Sequence, residues 1–133
     1  MKFSRKTDYG VILMEALKPS FRMKEFVSLA SIAEKYHLPL AFLEKIAEKL
    51  RKEGFIEAKR GTDGGYRLIR NPKEITLKEL IDVFEEPKMM RCMKSPHPEK
   101  HCALAKVCPT KKTWNSVEQK VMRIFERITL SEI

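Results

Sequence analysis

The sequence has few of the features on which secreted and membrane proteins depend. Its 133 residues include three cysteines and five glycines. No apolar run comes near the length of about eighteen residues that a membrane-spanning helix needs. The first ten residues, MKFSRKTDYG, contain no hydrophobic segment and no small-residue cleavage site, so we expect no signal peptide. We therefore expect a cytoplasmic protein without a membrane partner.

Acidic residues are also scarce relative to basic ones. The chain has 27 lysines and arginines against 18 aspartates and glutamates, which gives a net charge of +9 and an isoelectric point near 9.6. The excess is uneven, since residues 88–123 hold nine basic side chains and two acidic ones. Such an excess favours a polyanionic partner, nucleic acid above all, although solubility alone also explains it.

The length and composition are those of one globular domain. Apolar residues make up 43% of the 133 residues and charged residues 34%. A first helix is predicted to begin near Ser4 or Thr7 and to stop at Lys18-Pro19-Ser20. A later, short helix from Thr76 to Phe84 is opened by a capping box of Thr76 and Glu79.

Between these helices the sequence predicts a helix-turn-helix followed by a β-hairpin. One short helix is capped by Ser28, and the next runs over residues 39–53 with a polar exposed face. Residues 55–59 and 65–69 are predicted strands, joined by the glycine-rich turn RGTDGG. A hairpin directly after a helix-turn-helix is typical of a winged helix, so we predict DNA binding.

The last helix is predicted to begin between Thr110 and Thr113. Its apolar residues recur at spacings of three and four, as in a coiled-coil seam: Trp114, Val117, Val121, Ile124 and Ile128. This seam packs either on its own domain or on a second chain, and we expect a homodimer because the other helices are short.

The predicted fold class is mainly α with a small β-hairpin wing, a winged helix-turn-helix plus a long C-terminal dimerisation helix. Its parts are a DNA-binding region over residues 1–86, a cysteine loop over 87–109 and the dimerisation helix over 110–133, which forms a single compact unit with the first part.

All three cysteines, Cys92, Cys102 and Cys108, fall in the cysteine loop. Three thiols cannot all pair as disulfides, and clustered cysteines in a reducing compartment indicate metal or redox chemistry. Nine and then five residues separate them, so the CxxC pairs usual for zinc are absent. Wide spacing on a loop suits an iron–sulfur cluster, and zinc with His97 or His101 as fourth ligand stays an alternative.

Several stretches together resemble one family. They are the opening SRKTDYG, the stretch LEKIAEKLRKEGFIEAKRGTDGGYRL, the helix LKELIDVFE, the three cysteines and the closing ITLSEI. On these, and over essentially its whole length, the chain resembles the winged-helix iron–sulfur regulators typified by IscR and NsrR. The resemblance implies a homodimeric transcription factor that binds a double-stranded DNA operator. Its recognition helix, about 39–53, would enter the major groove, and its wing, Arg60 to Gly65, would reach the minor groove.

The residue types on the predicted recognition helix and wing agree with this role. Lys45 and Lys49 lie one helical turn apart and can share a groove face or a phosphate. Arg60 suits a narrow, electronegative minor groove. The resemblance assigns an influence on operator choice to Glu44, and Ala41 stands where some relatives have a hydroxyl. The expected DNA-binding residues are Ala41, Glu44, Lys45, Lys49, Arg51 and Arg60.

The resemblance also bears on the fourth cluster ligand. IscR-like members use a histidine three residues after the last cysteine, where this chain has Lys111. NsrR-like members complete a [4Fe–4S] cluster with an aspartate from the partner subunit, and Asp8 stands at the matching position. The gap between the first two cysteines is longer than in relatives, which keeps His97 and His101 as alternative ligands. The implied ligand set is Cys92, Cys102, Cys108 and Asp8, with [4Fe–4S] favoured over [2Fe–2S].

The predicted function is therefore that of a dimeric DNA-binding transcriptional regulator. A bound iron–sulfur cluster would set its operator affinity in response to nitric oxide, redox state or cluster supply. The alternative is a winged-helix regulator that uses zinc or a cysteine thiol redox switch without a cluster. An enzyme is not expected, because a catalytic cysteine needs a base beside it and a formed pocket.

Overall fold

The computed structural model describes residues 2–86 and 88–133, and Pro87, the first residue of the cysteine loop, lies outside the described residues. The described residues form, in order, α1 Arg5–Met23, α2 Leu29–Tyr36, α3 Leu40–Lys52, β1 Ile56–Lys59, β2 Gly65–Leu68, α4 Leu77–Phe84 and α5 Lys111–Arg127. Short 3₁₀ turns lie at Arg91–Met93, Pro98–Lys100 and Leu130–Glu132. The predicted fold class, mainly helical with a hairpin wing, is confirmed. Within the same residues no helix has both the length and the apolar character needed to cross a bilayer.

Local hydrogen bonds mark the helix-turn-helix, beginning with the predicted cap at Ser28. The Ser28 side chain accepts a hydrogen bond, 3.3 Å long, from a backbone N–H in the first turn of α2. His37, with φ at 54°, ends α2 in the left-handed region and turns the chain toward α3. After α3, the N–H groups of Gly54 and Phe55 donate to carbonyls of the last helical turn, as in a Schellman motif. Local hydrogen bonds therefore define both ends of the motif.

The hairpin wing is bonded to the helix-turn-helix through its backbone. β1 and β2 pair antiparallel with Ile56 opposite Leu68, and both of these side chains are buried in the core. Val27, just before α2, exchanges two backbone hydrogen bonds with Tyr66, at 2.8 and 2.9 Å. The position of the wing beside α3 is therefore set by main-chain bonds as well as by the core.

The predicted stop of the first helix at Lys18-Pro19-Ser20 is wrong. α1 passes through Pro19 and continues to Met23. Proline removes one N–H from a helix interior, which normally ends or bends it. Here Leu17 and Ser20 are buried on either side, and the Ser20 hydroxyl oxygen accepts the Leu68 N–H at 2.9 Å. Packing against the hairpin therefore outweighs the missing helical hydrogen bond.

The sequence predicted the start of α4 and an apolar seam on α5. α4 opens with the predicted capping box of Thr76 and Glu79. α5 buries Glu118 and Met122. Of the predicted seam of α5, Trp114 is 37% and Ile124 58% exposed, whereas Val117, Val121 and Ile128 are half-buried. Two large apolar side chains of the seam are thus left exposed on the single chain.

We expect a Gly65→Ala substitution to destabilise the fold. Gly65 has φ at +150°, and a Cβ placed there would overlap the Val27 carbonyl. Backbone strain and this overlap should lower the free energy of unfolding by about 1–3 kcal/mol, measured by urea denaturation. Gly61→Ala is the matched control, because Gly61 also has positive φ, +110°, but nothing lies within 4 Å of an added Cβ. Equal destabilisation by the two substitutions would contradict a role for the contact with Val27.

Candidate metal centre and nucleic-acid interface

The three cysteines line one apolar pocket. Cys92, Cys102 and Cys108 are free, half-buried thiols around a cavity of about 210 Å³. Apolar side chains supply most of the remaining wall, among them Met90, Met93, Leu104 and Trp114. Trp114 comes from the first turn of α5, so the pocket forms where the cysteine loop meets that helix. The sequence places the cysteines in one loop, and the fold adds their common cavity.

The lining fits a group held by thiolates. Sulfur ligands in apolar surroundings suit an iron–sulfur cluster, because the apolar shell limits access of water. The Thr110 hydroxyl, 3.5 Å from Cys108 Sγ, lowers the pKa of that thiol and so favours the thiolate, the form that binds iron. Cationic residues along this segment would offset the negative charge of such a group: Arg91, Lys94, Lys100, Lys106 and Lys111.

The predicted fourth ligands lie outside the lining of this pocket. Asp8 is exposed in the first turn of α1. His97 and His101 are exposed as well, and His97 Nδ1 lies 3.3 Å from Glu99 Oε1. Across residues 2–86 and 88–133, no three His, Cys, Asp or Glu side chains stand ready to hold one metal ion. One chain therefore brings the three predicted thiols to one pocket without joining them to Asp8 or to either histidine.

Glu85 ties the start of α1 to the segment that leads into the cysteine loop. Its Oε1 accepts hydrogen bonds from the Ser4 N–H at 2.5 Å and from the Thr7 hydroxyl at 2.7 Å. Ser4 makes no side-chain cap of its own, so Glu85 serves as the cap of α1 from a distant part of the chain. Burial raises the pKa of Glu85, but the hydrogen bonds from Thr7 and Ser4 outweigh it, and the pKa lies below its ordinary value. No local sequence pattern identifies Glu85 as this cap.

The predicted DNA-binding residues of α3 are all exposed: Ala41, Glu44, Lys45, Lys49 and Arg51. Two of them are engaged within the protein. The Lys49 ammonium lies 5.7 Å from the centre of the Phe84 ring. The Arg51 guanidinium donates two hydrogen bonds to Glu48, at 2.9 and 2.6 Å. Glu48 was not among the predicted DNA-binding residues.

The wing faces the C-terminal half of α3 across an open cleft. Arg60 is exposed at the end of β1, where the glycine-rich turn begins, and it lines this cleft. Arg51 lies on the opposite wall. The structure therefore places the recognition helix and the wing side by side with basic groups on both, an arrangement typical of winged-helix DNA-binding proteins.

Comparison with known proteins agrees with the class of winged-helix DNA-binding proteins. A family model for Rrf2, described as an iron-dependent transcriptional regulator, matches residues 3–133. The chain belongs to the Rrf2 family. It is 30% identical to the transcriptional regulator NsrR of Bacillus licheniformis, across 100% of this chain and 92% of that protein.

Two solved structures extend the comparison. T. potens IscR superposes with a TM-score of 0.76 at 32% identity, covering 99% of this chain and 85% of that one. CymR, the global cysteine regulator of B. subtilis, superposes with a TM-score of 0.77 at 27% identity, covering 99% and 95%. The predicted resemblance to IscR- and NsrR-type regulators is confirmed, as is the prediction of a transcriptional regulator rather than an enzyme. Rrf2 regulators bind DNA, whereas cluster binding, the ligand set and the homodimer stay predictions.

The hydrogen bonds of Glu85 predict a pH-dependent contribution to stability. Because its folded pKa lies below the ordinary value of 4.5, ionised Glu85 stabilises the fold above that pH. The contribution is lost as the pH falls through the folded pKa. We expect Glu85→Gln to lower the urea midpoint at pH 7, and the difference from the original chain to shrink below pH 4.5.

Glu86→Gln is the control for this measurement. It removes the same charge one residue later, where the side chain has no hydrogen bond to the described part of α1. A similar loss in both variants, or a difference that does not depend on pH, would contradict the role of Glu85.

Proposed function

We propose that this chain acts in the cytoplasm as a homodimeric transcriptional regulator whose operator affinity is set by an iron–sulfur cluster. The observation that carries the proposal is the common apolar pocket of Cys92, Cys102 and Cys108. These three thiolates and Asp8 of the partner subunit would hold the cluster, of the [4Fe–4S] rather than the [2Fe–2S] type. When bound, the cluster supplies redox-active iron, whose oxidation, nitrosylation or loss is the signal. The Rrf2 description as an iron-dependent regulator supports this assignment.

The exposed apolar side chains of the α5 seam support the proposed homodimer. Trp114 and Ile124 are exposed large apolar side chains on one stripe of the helix, with Val117 and Val121 half-buried between them. A stripe at alternating spacings of three and four packs against a second long helix. The same helix of a second chain supplies such a surface, and its own α1 would then bring Asp8 toward the cysteine loop. The division into residues 1–86, 87–109 and 110–133 belongs to this proposal.

Residues 84 and 85 provide a route by which the cysteine loop affects DNA binding. Glu85 bonds to Ser4 and Thr7, next to Asp8. The Phe84 ring packs on the backbone of α1 and lies beside Lys49 of the recognition helix. Movement of the loop therefore changes contacts with α1 and α3 together. A coupling free energy of about 1–3 kcal/mol would change operator affinity about 5- to 150-fold.

In the proposed DNA complex, α3 enters the major groove of a double-stranded operator and the wing reaches the adjacent minor groove. Ala41, Glu44 and Lys45 lie toward the start of α3, where base edges are read. Lys49 and Arg51 lie nearer its end and approach the phosphate backbone. Arg60 extends from the wing to the minor groove.

A second candidate is a winged-helix regulator that uses its thiols, or zinc bound to them, without a cluster. The lowered pKa of Cys108 favours a reactive thiolate, which is the observation in its support. The structural similarity to CymR, a cysteine regulator, also supports this alternative.

Anaerobic purification of the full chain separates the two candidates. We expect a brown protein with iron and sulfide in near-equal amounts, a visible absorption band, and operator affinity that changes when a chelator removes the iron. A colourless protein loaded with zinc would contradict the cluster, and an operator affinity indifferent to iron would contradict its regulatory role.

Asp8→Ala should give a folded dimer with a labile cluster, because one ligand is lost from an exposed position. The measurement is the decay of visible absorbance after exposure to air. His101→Ala is the matched control and should decay at the original rate. The opposite pattern, a stable cluster in the Asp8 variant and a labile one in the His101 variant, would assign the fourth ligand to His101.

Mixed dimers test whether Asp8 acts on the other subunit. When an Asp8→Ala chain is paired with a Cys102→Ala chain, ligation between subunits leaves one complete site, whereas ligation within a subunit leaves none. We expect tagged heterodimers to hold half the cluster of the original dimer and to lose it in air at the rate of the original dimer. Decay at the faster rate of the Asp8→Ala dimer, with the heterodimer intact, would contradict ligation between subunits.

Arg60→Ala should weaken operator binding about tenfold, because the wing would lose its minor-groove contact. Arg22→Ala removes the same charge from the end of α1 and serves as the control. Titration of both variants against one operator duplex gives the comparison. Equal affinity of the Arg60 variant and the original chain would remove the wing from the interface.

A further inference from the structure

The cleft between α3 and the wing contains acidic as well as basic groups. Its walls are formed by Glu48, Arg51, Glu57, Lys59, Arg60 and Tyr66, together with backbone of the hairpin. Glu48 holds Arg51 along one edge of the guanidinium, Nε to Oε2 at 2.9 Å and Nη2 to Oε1 at 2.6 Å. Burial raises the pKa of Tyr66; the charge of Glu48 raises it further, that of Arg51 lowers it, and that of Glu44 raises it. Two carboxylates, those of Glu48 and Glu57, thus stand among three cationic side chains in this cleft.

The proposed docking directs a phosphate strand through this cleft. With α3 in the major groove and the wing in the adjacent minor groove, the sugar–phosphate strand that separates the grooves passes between the two elements. Arg51, Lys59 and Arg60 place donors on both walls for such a strand. Glu48 repels the same strand, so phosphate binding alone does not account for its presence there.

The two hydrogen bonds determine which donors of Arg51 remain available. A guanidinium has five N–H donors, and Glu48 accepts two of them along one edge. The other three N–H groups then point in a direction fixed by the pair. A phosphate in that direction gains an already ordered donor, because a planar guanidinium loses little further freedom. A phosphate elsewhere meets the charge of Glu48 without that contact.

We propose that Glu48 is a specificity-determining residue that aims Arg51 at one operator phosphate and disfavours sequence-independent binding. The inference rests on the proposed docking of α3 and the wing. Base contacts would set the register that brings one phosphate in line with Arg51. Non-specific complexes lack this register, and phosphate contacts supply nearly all of their affinity. Glu48 therefore raises the ratio of the affinity for the operator to the affinity for non-specific DNA.

The simplest other role for this pair is helix stabilisation. Arg51 and Glu48 are three residues apart on one helix, with side chains 42% and 43% exposed. Exposed pairs of this kind change an equilibrium constant by up to roughly fivefold. A purely stabilising pair would alter the urea midpoint and leave the ratio of DNA affinities unchanged.

Glu48→Gln tests the proposal with two DNA probes of equal length. One is a duplex selected from a random pool by the original protein, and the other is a random-sequence duplex. We expect binding to the random duplex to tighten roughly two- to fivefold, with a salt slope steeper by about one unit as Arg51 becomes free to follow any phosphate. Binding to the selected duplex should tighten less, so the specificity ratio falls.

Two further variants complete the experiment. Glu53→Gln removes an equal charge at the end of α3, where the residue is exposed and outside the cleft lining, and it should leave the ratio unchanged. In an Arg51→Ala background Glu48→Gln should still tighten binding through the lost charge, but equally for both duplexes, so that the specificity ratio no longer changes. Equal changes of the specificity ratio with Glu48→Gln and Glu53→Gln, or a change of that ratio that persists without Arg51, would overturn the inference. Such a result together with weakened binding by Arg60→Ala leaves the docking intact, whereas unchanged binding by Arg60→Ala contradicts the docking itself.

Discussion

Burial of one face of α1 fixes the position of Asp8, near the start of this helix, relative to α3 and the hairpin. Leu13, Met14 and Leu17 have no exposed surface, and each such side chain contributes roughly 1.5–3 kcal/mol by leaving water. The same helix packs on α3, α4 and β2. Because α1 also carries Asp8 near its start, the candidate ligand and the recognition helix belong to one packed body. A displacement at either end of that body is transmitted through close-packed side chains rather than through a mobile linker.

Most of the fold could be predicted because its signals are local. The Ser28 cap and the capping box at Thr76 each depend on residues a few positions apart, and so does the hairpin turn. Pro19 was misinterpreted for the opposite reason. Its own neighbourhood indicates a helix end, but the outcome is decided by the bond between Ser20 and Leu68, which are 48 residues apart. Where a tertiary contact competes with a local preference, apolar periodicity and helix-breaking residues predict the wrong helix boundary.

The same distinction applies to the candidate site. The cysteines could be recognised because they are close in sequence, whereas their common pocket depends on the placement of Trp114 by α5. Glu85 could not be found, since its partners Ser4 and Thr7 lie 81 and 78 residues earlier. Glu48 and Arg51 are only three residues apart, and their spacing alone suggests an ordinary surface pair. Their position against the wing, which no local pattern encodes, gives the pair a place in the cleft.

Trp114 gives the cysteine pocket an optical property of its own. It is the single tryptophan of the chain, and it lines the cavity that the three thiols share. The indole emission of the whole protein therefore originates at this one place and follows its polarity and its contacts with sulfur. A chromophore seated there would accept excitation energy from the indole at close range, so ultraviolet fluorescence reports the state of the pocket without an attached dye.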